Sequence, residues 1–488
     1  MGMEVNTSQQ PAAAPAAPGT PASAPDISDA IWATHEDLSP TSARFVRYAL
    51  AHPEAARGVD YRQAEGLPEW MRRYPYRLQP WPIFVDARKL RQVERATVGL
   101  TELVKTIPER IFGGDPRRIC EFYGTRDEML MKLMLAPPNG FATSFARGDF
   151  VDDGTNFKCL ELNVSATIGG WQDRFFDRAC RAQPYVASFL AAEGSEVRHR
   201  DPWRTALELV VDSGCRQGHD LAGRFNIAVA VNPETAELEG VIAAMSELFQ
   251  EVLRDRGGRH QGEVVRCTYP DDLTVRSGAL FFRDLRISAV IETTSTQTPL
   301  GVYRCFKAQR LGLFNGPLSG MLSSKRNLAL LSQHEESDLL TAEERQIVRS
   351  HVPWSRQVVD ERTTYHGESV GLLDFAVARR GSLVLKPVAG YQGIGVHLGC
   401  RTSPVEWWQR LADATATGGR MLLQEYVTSR PYLFQHGEQG WAGHQVIWGT
   451  FSFGGKYGGG FLRLLPLDSG PGVINSAQGA TEGLIFDV

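Results

Sequence analysis

The chain has 488 residues, of which 42% are hydrophobic and 22% charged, and a formal net charge of −4. That is ordinary globular composition, enough for two to four domains or one large composite one. The balance offers no electrostatic ground for nucleic acid as a partner, and no apolar run is long enough to span a bilayer.

Seven cysteines (Cys120, Cys159, Cys180, Cys215, Cys267, Cys305 and Cys400) are scattered singly, with no C-x-x-C pair. A zinc ribbon and a thioredoxin-like motif are therefore unsupported, and an odd, dispersed set suits a reducing compartment. The N-terminus lacks the charged-then-apolar order of a secretory signal, so the expected location is the cytoplasm.

Residues 1–26 are rich in Ala and Pro and poor in large apolar side chains, which predicts a disordered tail. Residues 27–140 read as mainly helical. In "ARKLRQVERATVGLTELVKTI", Leu90, Val93, Val98, Leu100 and Leu103 are spaced roughly as on a helix. Residues 141–223 hold a predicted hairpin and adjoining helices. The hairpin is "FARGDFVDDGTNFKCLELN", from Phe145 to Asn163, two alternating runs around an Asp-Gly turn. Phe157, Cys159, Leu160 and Leu162 are its packing candidates. Lys158, Glu161 and Asn163 are its polar ones, and Glu161 and Asn163, two apart, share a face.

Residues 224–300 change character. "RFNIAVAV" is a buried-strand run, "LEGVIAAMSELFQEVLRDR" an amphipathic helix, and "GEVVRCTY", "GALFFR" and "ISAVIET" are short strands. Strand–helix–strand alternation predicts an open α/β subdomain. Helical patterns return over 301–380, within a segment 301–488. "GSLVLKPVAGYQGIGVHLG" then reads as strand, Gly-rich loop and strand, followed by the helix "VEWWQRLADATA" and the strand "GRMLLQEYV". "QVIWGTFSFGGKYGGGFLRLLPL" reads as a strand pair with a Gly-rich turn.

Three places carry chemistry. Lys386 ends an apolar strand before a loop with Gly390, Gln392, Gly393 and Gly395. Glycines let backbone N–H groups approach phosphate oxygens, to which a lysine adds a point charge. The spacing is neither Walker A nor G-x-G-x-x-G, and a tight hairpin with a solvated lysine is the plain alternative. "LLQEYV", with Gln424, Glu425 and Val427, is a half-buried strand or a hinge for an adenine edge. In the hairpin, Asp149, Glu161 and Asn163 offer hard oxygens on one face, as Mg²⁺ requires. Arg147 shares the face of Asp149, where it would stabilise a transferring phosphoryl group. The alternatives there are exposed ion pairs of small worth, or an Arg-Gly-Asp adhesion tripeptide, for which no secretory or disulfide context exists. Arg463, Asn475 and Gln478 lie in Gly-rich or small-residue stretches, as substrate contacts or as turn chemistry.

Taken in order, "RGD…LELN", "FNGPLSGMLSSKRNLALLS", "VLKPVAGYQGIGVHLG", "LLQEYV" and "GGGFLRLLP" resemble the circularly permuted ATP-grasp proteins, of which glutathionylspermidine synthetase is the best-known relative. The family's Arg-x-Asp strand and Glu-x-Asn strand, about a dozen residues apart, match Arg147, Asp149, Glu161 and Asn163 in type, order and spacing. The resemblance covers roughly 140–175 and 300–470. It implies an α/β, circularly permuted ATP-grasp fold with the open α/β subdomain preceding it. It implies ATP and Mg²⁺ as cofactors. Lys325 and Lys386 would hold phosphates, and the loop from Gly390 through Gln392 to Gly393 and Gly395 would cover them. Gln424, Glu425 and Val427 would lie at the adenine hinge. Arg147 and Arg463 would act on the phosphoryl group, and Asp149, Glu161 and Asn163 on the metal. The implied reaction is ATP-dependent ligation of a carboxylate to an amine through an acyl phosphate, on small-molecule or peptide substrates. Two rivals stay open: phosphoryl transfer to a hydroxyl, and a non-catalytic nucleotide-binding protein. The first 140 residues show no convincing Cys/His pair, so the amidase of some relatives is not expected, and their substrates are not carried over.

Overall fold

The computed structural model of the chain describes residues 28–54, 59–135, 144–194, 196–217, 223–233, 239–256, 261–294, 296–316, 318–390, 392–436, 440–470 and 472–488. The tail expected over 1–26 lies outside the described residues. The fold is mixed α/β, and among the described residues the strands form five sheets.

The largest sheet runs Ile83–Val85, Thr481–Asp487, Lys456–Pro466, Trp441–Phe453, Phe145–Asp152, Phe157–Val164, with Tyr432–Gln435 also paired to Trp441–Phe453. Every pair is antiparallel except the first, which is parallel. Gly454 and Gly455, at φ 57° and 82°, turn the chain between the two long strands. A tight hairpin needs such left-handed residues if its strands are to keep their right-handed twist.

The predicted hairpin is Phe145–Asp152 paired with Phe157–Val164. The Asp153 carboxylate accepts from the N–H groups of Thr155 and Asn156, both at 2.8 Å, and so ties the turn. Alternation alone would put Phe157, Cys159, Glu161 and Asn163 on one face, and that face cannot be both core and polar site. A β-bulge resolves the conflict. Asp149 opposes Glu161 while Phe150 opposes Cys159, so Leu160 is the extra residue. Phe157, Cys159 and Leu162 then enter one core, and Leu160 packs beside Val151 and Val427 on the other side.

The helix Ala87–Arg110, capped by the Asp86 side chain, covers the core face of this sheet. It buries Leu90, Val93, Leu100 and Leu103; Val98 is only partly buried. Gly148 also faces this core. A Cβ there would lie 2.2 Å from the Phe150 ring, so its small size serves packing.

The alternation read over 224–300 becomes a parallel sheet in the order Gly312–Phe314, Ala289–Glu292, Ile227–Ala230, Val264–Cys267. Helices Pro202–Arg216 and Glu239–Asp255 supply apolar partners such as Leu207, Val210, Phe249 and Val252. "GALFFR" joins a separate antiparallel sheet with Leu273–Arg276 and Leu285–Ile287.

A further antiparallel sheet, Ser355–Gln357, Met421–Glu425, Leu383–Pro387, His397–Leu398, carries the lysine strand. Leu372–Ala378 and Pro404–Ala416 pack onto it through Ala376, Trp407 and Leu411. The helical reading of 301–380 is corrected at Gly312–Phe314, Ser355–Gln357, Arg362–Tyr365 and Glu368–Gly371. Strands of three or four residues are too short to set a period of their own and form because neighbours pair with them.

Candidate active site

The bulge sets the geometry. It turns Glu161 and Asn163 to the face that already holds Arg147 and Asp149, with Arg147 opposite Asn163 and Asp149 opposite Glu161. Gly449, next to Asp149 in the sheet, has no side chain to block this face; a Cβ would stand 3.3 Å from Arg147 Cδ. Arg147 grips Asp149 with two hydrogen bonds, Nε to Oδ1 at 2.9 Å and Nη2 to Oδ2 at 3.2 Å. Its Nη1 donates to the Ile168 carbonyl at 2.5 Å. Asn163 Nδ2 reaches Asp149 Oδ2 at 3.4 Å and Glu161 Oε1 at 3.3 Å.

Arg463 arrives from the strand Lys456–Pro466, with Nη2 2.5 Å from Asp149 Oδ1. The contact is a close ion pair without hydrogen-bond alignment, and Arg463 Nε and Nη2 remain buried donors with no aligned acceptor among the described residues. Burial alone would raise the Asp149 carboxyl. Arg147 and then Arg463 overcome that effect and hold it well below the usual carboxylate range.

Two lysines close the other end. Lys325 sits at the N-cap of Arg326–Gln333, its N–H bonded to the Val388 carbonyl at 3.0 Å. Its ammonium lies 3.0 Å from Glu161 Oε2 and donates to the Gly390 carbonyl at 2.9 Å, joining the hairpin to the Gly-rich loop. Lys386, 6% exposed, donates to the carbonyl of the bulged Leu160 at 2.7 Å and to Gln424 Oε1 at 2.8 Å. Burial pushes its ammonium down to about 8.

The remaining residues named from sequence surround this network. Gln424 spends its side chain on Lys386 and, at 3.0 Å, on Ser355 Oγ. Glu425 accepts from Tyr365 Oη at 2.8 Å, and its N–H donates to the Trp354 carbonyl. Val427 lines an apolar cluster with Leu160, Ile447 and Ile474. Gly390, Gly393 and Gly395 all have positive φ, as does Gln392, so the loop takes the left-handed turns that glycine permits. Gln478 Nε2 donates to the Gln392 carbonyl at 2.6 Å and clasps that loop, whereas Asn475 closes its own turn on Ala477.

The arrangement presents hard oxygens from Asp149, Glu161 and Asn163 among four cations. Among the described residues no three His, Cys, Asp or Glu side chains converge on a metal-sized point. The hairpin instead offers two carboxylates and an amide, a set that fits Mg²⁺ completed by water and substrate oxygens. Each of those carboxylates is engaged by an internal cation, Asp149 by the arginines and Glu161 by Lys325. A metal ion would exchange with them.

No family model and no curated protein matches the chain. Among solved structures, it is similar to the apo form of a glutathione synthetase-like effector from Globodera pallida, at TM-score 0.55 and 12% identity, covering 91% of this chain and 97% of that one. The two share a fold. The likeness extends over nearly the whole of both chains.

Sequence reasoning missed the groups flanking Arg463. Glu482 stands directly across from it on Thr481–Asp487, and Tyr74 and Ser476 hydrogen-bond the Glu482 carboxylate. The signal was present as an acid, Glu482, leading into the apolar run "GLIF" near the end of the sequence.

Proposed function

We propose that the protein is an ATP-dependent carboxylate–amine ligase of the circularly permuted ATP-grasp type. The observation that carries this reading is the convergence of Arg147, Asp149, Glu161 and Asn163 with Lys325, Lys386 and Arg463 in one connected network. These residues come from four separate stretches of chain, in the types that polyphosphate and Mg²⁺ handling demands. The fold shared with a glutathione synthetase-like protein supports it as well.

On this reading Asp149, Glu161 and Asn163 would hold Mg²⁺, which when bound neutralises charge on the phosphates. Lys325 and Lys386 offset the remaining phosphate charge. Arg147 and Arg463 face the phosphoryl group as it passes to the carboxylate oxygen. The loop Gly390–Gly395, clasped by Gln478, folds over the site and keeps water from the activated acyl group. The amine then attacks the acyl carbon, the carbon–oxygen bond to phosphate breaks, and an amide, ADP and phosphate result.

The test is ADP release that depends on both a carboxylic acid and an amine, screened over panels of each. The double variant Asp149→Ala/Glu161→Ala is expected to abolish it. Activity surviving in that variant sinks the metal assignment, and a phosphorylated product without free phosphate replaces ligation by transfer to a hydroxyl.

A further inference from the structure

Arg463 is held at one end only. Its Nη2 lies 2.5 Å from Asp149 Oδ1 without alignment, and its Nε and Nη2 are buried with no aligned acceptor among the described residues. A guanidinium carries five N–H donors in a fixed fork, and leaving buried ones unspent is unfavourable. Asp149 is in turn crowded. It already takes two hydrogen bonds from Arg147 and one from Asn163. Of the two arginines on Asp149, Arg147 is aligned and is anchored on its far side to the Ile168 carbonyl. Arg463 has no such anchor and is the one free to turn.

Across the strand from it stands Glu482. The two oppose each other in the antiparallel register of Lys456–Pro466 with Thr481–Asp487, and residues so placed share a face with Cβ atoms about 5 Å apart. Both are buried. Tyr74 Oη donates to one Glu482 oxygen and Ser476 Oγ to the other, each at 2.7 Å. These bonds fix the carboxylate and leave each oxygen a further lone pair to offer. Burial pushes the Glu482 carboxyl up; Ser476 and Tyr74, then the charges of Arg463 and Arg147, pull it down. An arginine with spare donors thus stands between two carboxylates, one among the hard oxygens of the candidate metal site and one locked into packed protein.

We propose that Glu482 is the positioning residue of Arg463. With Asp149 uncommitted, Arg463 leans on Asp149, as in this structure. When Asp149 gives its oxygens to a divalent cation, Arg463 turns its fork to Glu482 and stays beside the phosphates. Like charges a few ångströms apart repel, so the loosest cation on Asp149 is the one that yields. Glu482 gives it a prepared acceptor and prevents it from competing for the metal ligand. The role at the phosphates rests on the ligase reading above; the pairing of Arg463 with Glu482 once Asp149 is taken rests on the metal site alone.

The probe is Mn²⁺ with the non-hydrolysable β,γ-imido analogue of ATP, titrated into the intact chain with free Mn²⁺ read by electron paramagnetic resonance. Glu482→Gln is expected to weaken Mn²⁺ binding at least tenfold in the wild-type background. In the Arg463→Gln background, where no arginine needs placing, the same change is expected to cost less than threefold. A merely structural Glu482 would cost the same factor in both backgrounds, and that result overturns the proposal. Thermal unfolding reports whether each variant folds. Should Glu482→Gln fail to fold, Tyr74→Phe keeps the ring and the carboxylate and removes one of the two hydroxyls that fix it. It is expected to weaken binding at least threefold in the wild type and to leave the Arg463→Gln protein unchanged; equal factors again overturn the proposal. Wild type without saturable Mn²⁺ binding overturns it together with the ligase reading. Hydroxylamine trapping with ATP and a panel of carboxylic acids separates the two. Hydroxamate formed with equal factors overturns the positioning role alone. Unequal factors without hydroxamate overturn the ligase reading and leave Glu482 positioning Arg463 in a nucleotide–metal site.

Discussion

The strand Phe145–Asp152 sends one buried carboxylate to each face of the large sheet, and the two are treated differently. Asp152 meets the Lys89 ammonium at 2.8 Å, which also holds Asp37 at 2.8 Å. Asp37 takes Arg430 and Arg88, and Arg88 approaches Asp86. Three cations there face three carboxylates. Tyr432 Oη and the Gly154 N–H complete the Asp152 oxygens. On the other face Arg147, Lys325, Lys386 and Arg463 directly contact only Asp149 and Glu161 among carboxylates, with Glu482 opposite Arg463 in the register, and Arg463 keeps a buried Nε without an aligned acceptor among the described residues. Buried charge is costly unless paired. A balanced set is what a structural network needs; a surplus of positive charge with unspent donors beside hard oxygens is what an anionic ligand with its own metal needs.

The sharpest break of that comparison is Arg463→Ala. If the surplus serves a reacting phosphoryl group, kcat falls by about 10³ while the folded state survives, because Arg147 still pairs Asp149. A coupled assay of ADP release with thermal unfolding reads both, and unaltered turnover would place Arg463 with the structural charges. Lys89→Met acts on the balanced side. It strands Asp152, which is 0% exposed, and is expected to remove about 3–5 kcal/mol of stability in denaturant titration. The kcat of the folded fraction should hold. Gly148→Ala comes next. Its Cβ would meet the Phe150 ring at 2.2 Å, and overpacking of this kind costs about 1–3 kcal/mol. A stability loss with KM for nucleotide unchanged is the expected result, since Gly148 faces the core beneath the site.

The four polar hairpin residues were legible because residue type, spacing and an Asp-Gly turn coincide within nineteen residues, Phe145 to Asn163. The helix over Leu90 to Leu103 was legible for the same local reason. The bulge at Leu160 was not, although the pattern carries its trace: Cys159 and Glu161 are two apart yet belong to opposite environments, which regular alternation forbids. Glu482 and the Lys89–Asp152 pair were invisible for another reason. Tyr74 lies 408 residues from Glu482 and Lys89 lies 63 residues from Asp152, and only the packed sheet brings them together. The short strands Ile83–Val85 and Gly312–Phe314 failed alike, having no period of their own and forming on partners supplied from elsewhere.

The smallest effect tests the surplus through pH. Burial sets the Lys386 ammonium at about 8 against its usual 10.5. As pH rises through about 8 the folded protein loses this charge, so nucleotide affinity falls by at most about tenfold per unit. Stability moves the other way. Between about 8 and 10.5 the unfolded chain binds the proton that the folded one has released, so the Lys386 contribution to stability rises with pH over that window. A nucleotide titration and a denaturant titration across pH 7–10 should therefore slope in opposite directions, and Lys386→Arg, whose charge persists, should flatten both. Parallel slopes, or an unchanged pair in the arginine variant, would mean that Lys386 answers to Leu160 and Gln424 alone and belongs with the balanced, structural charges of the opposite face.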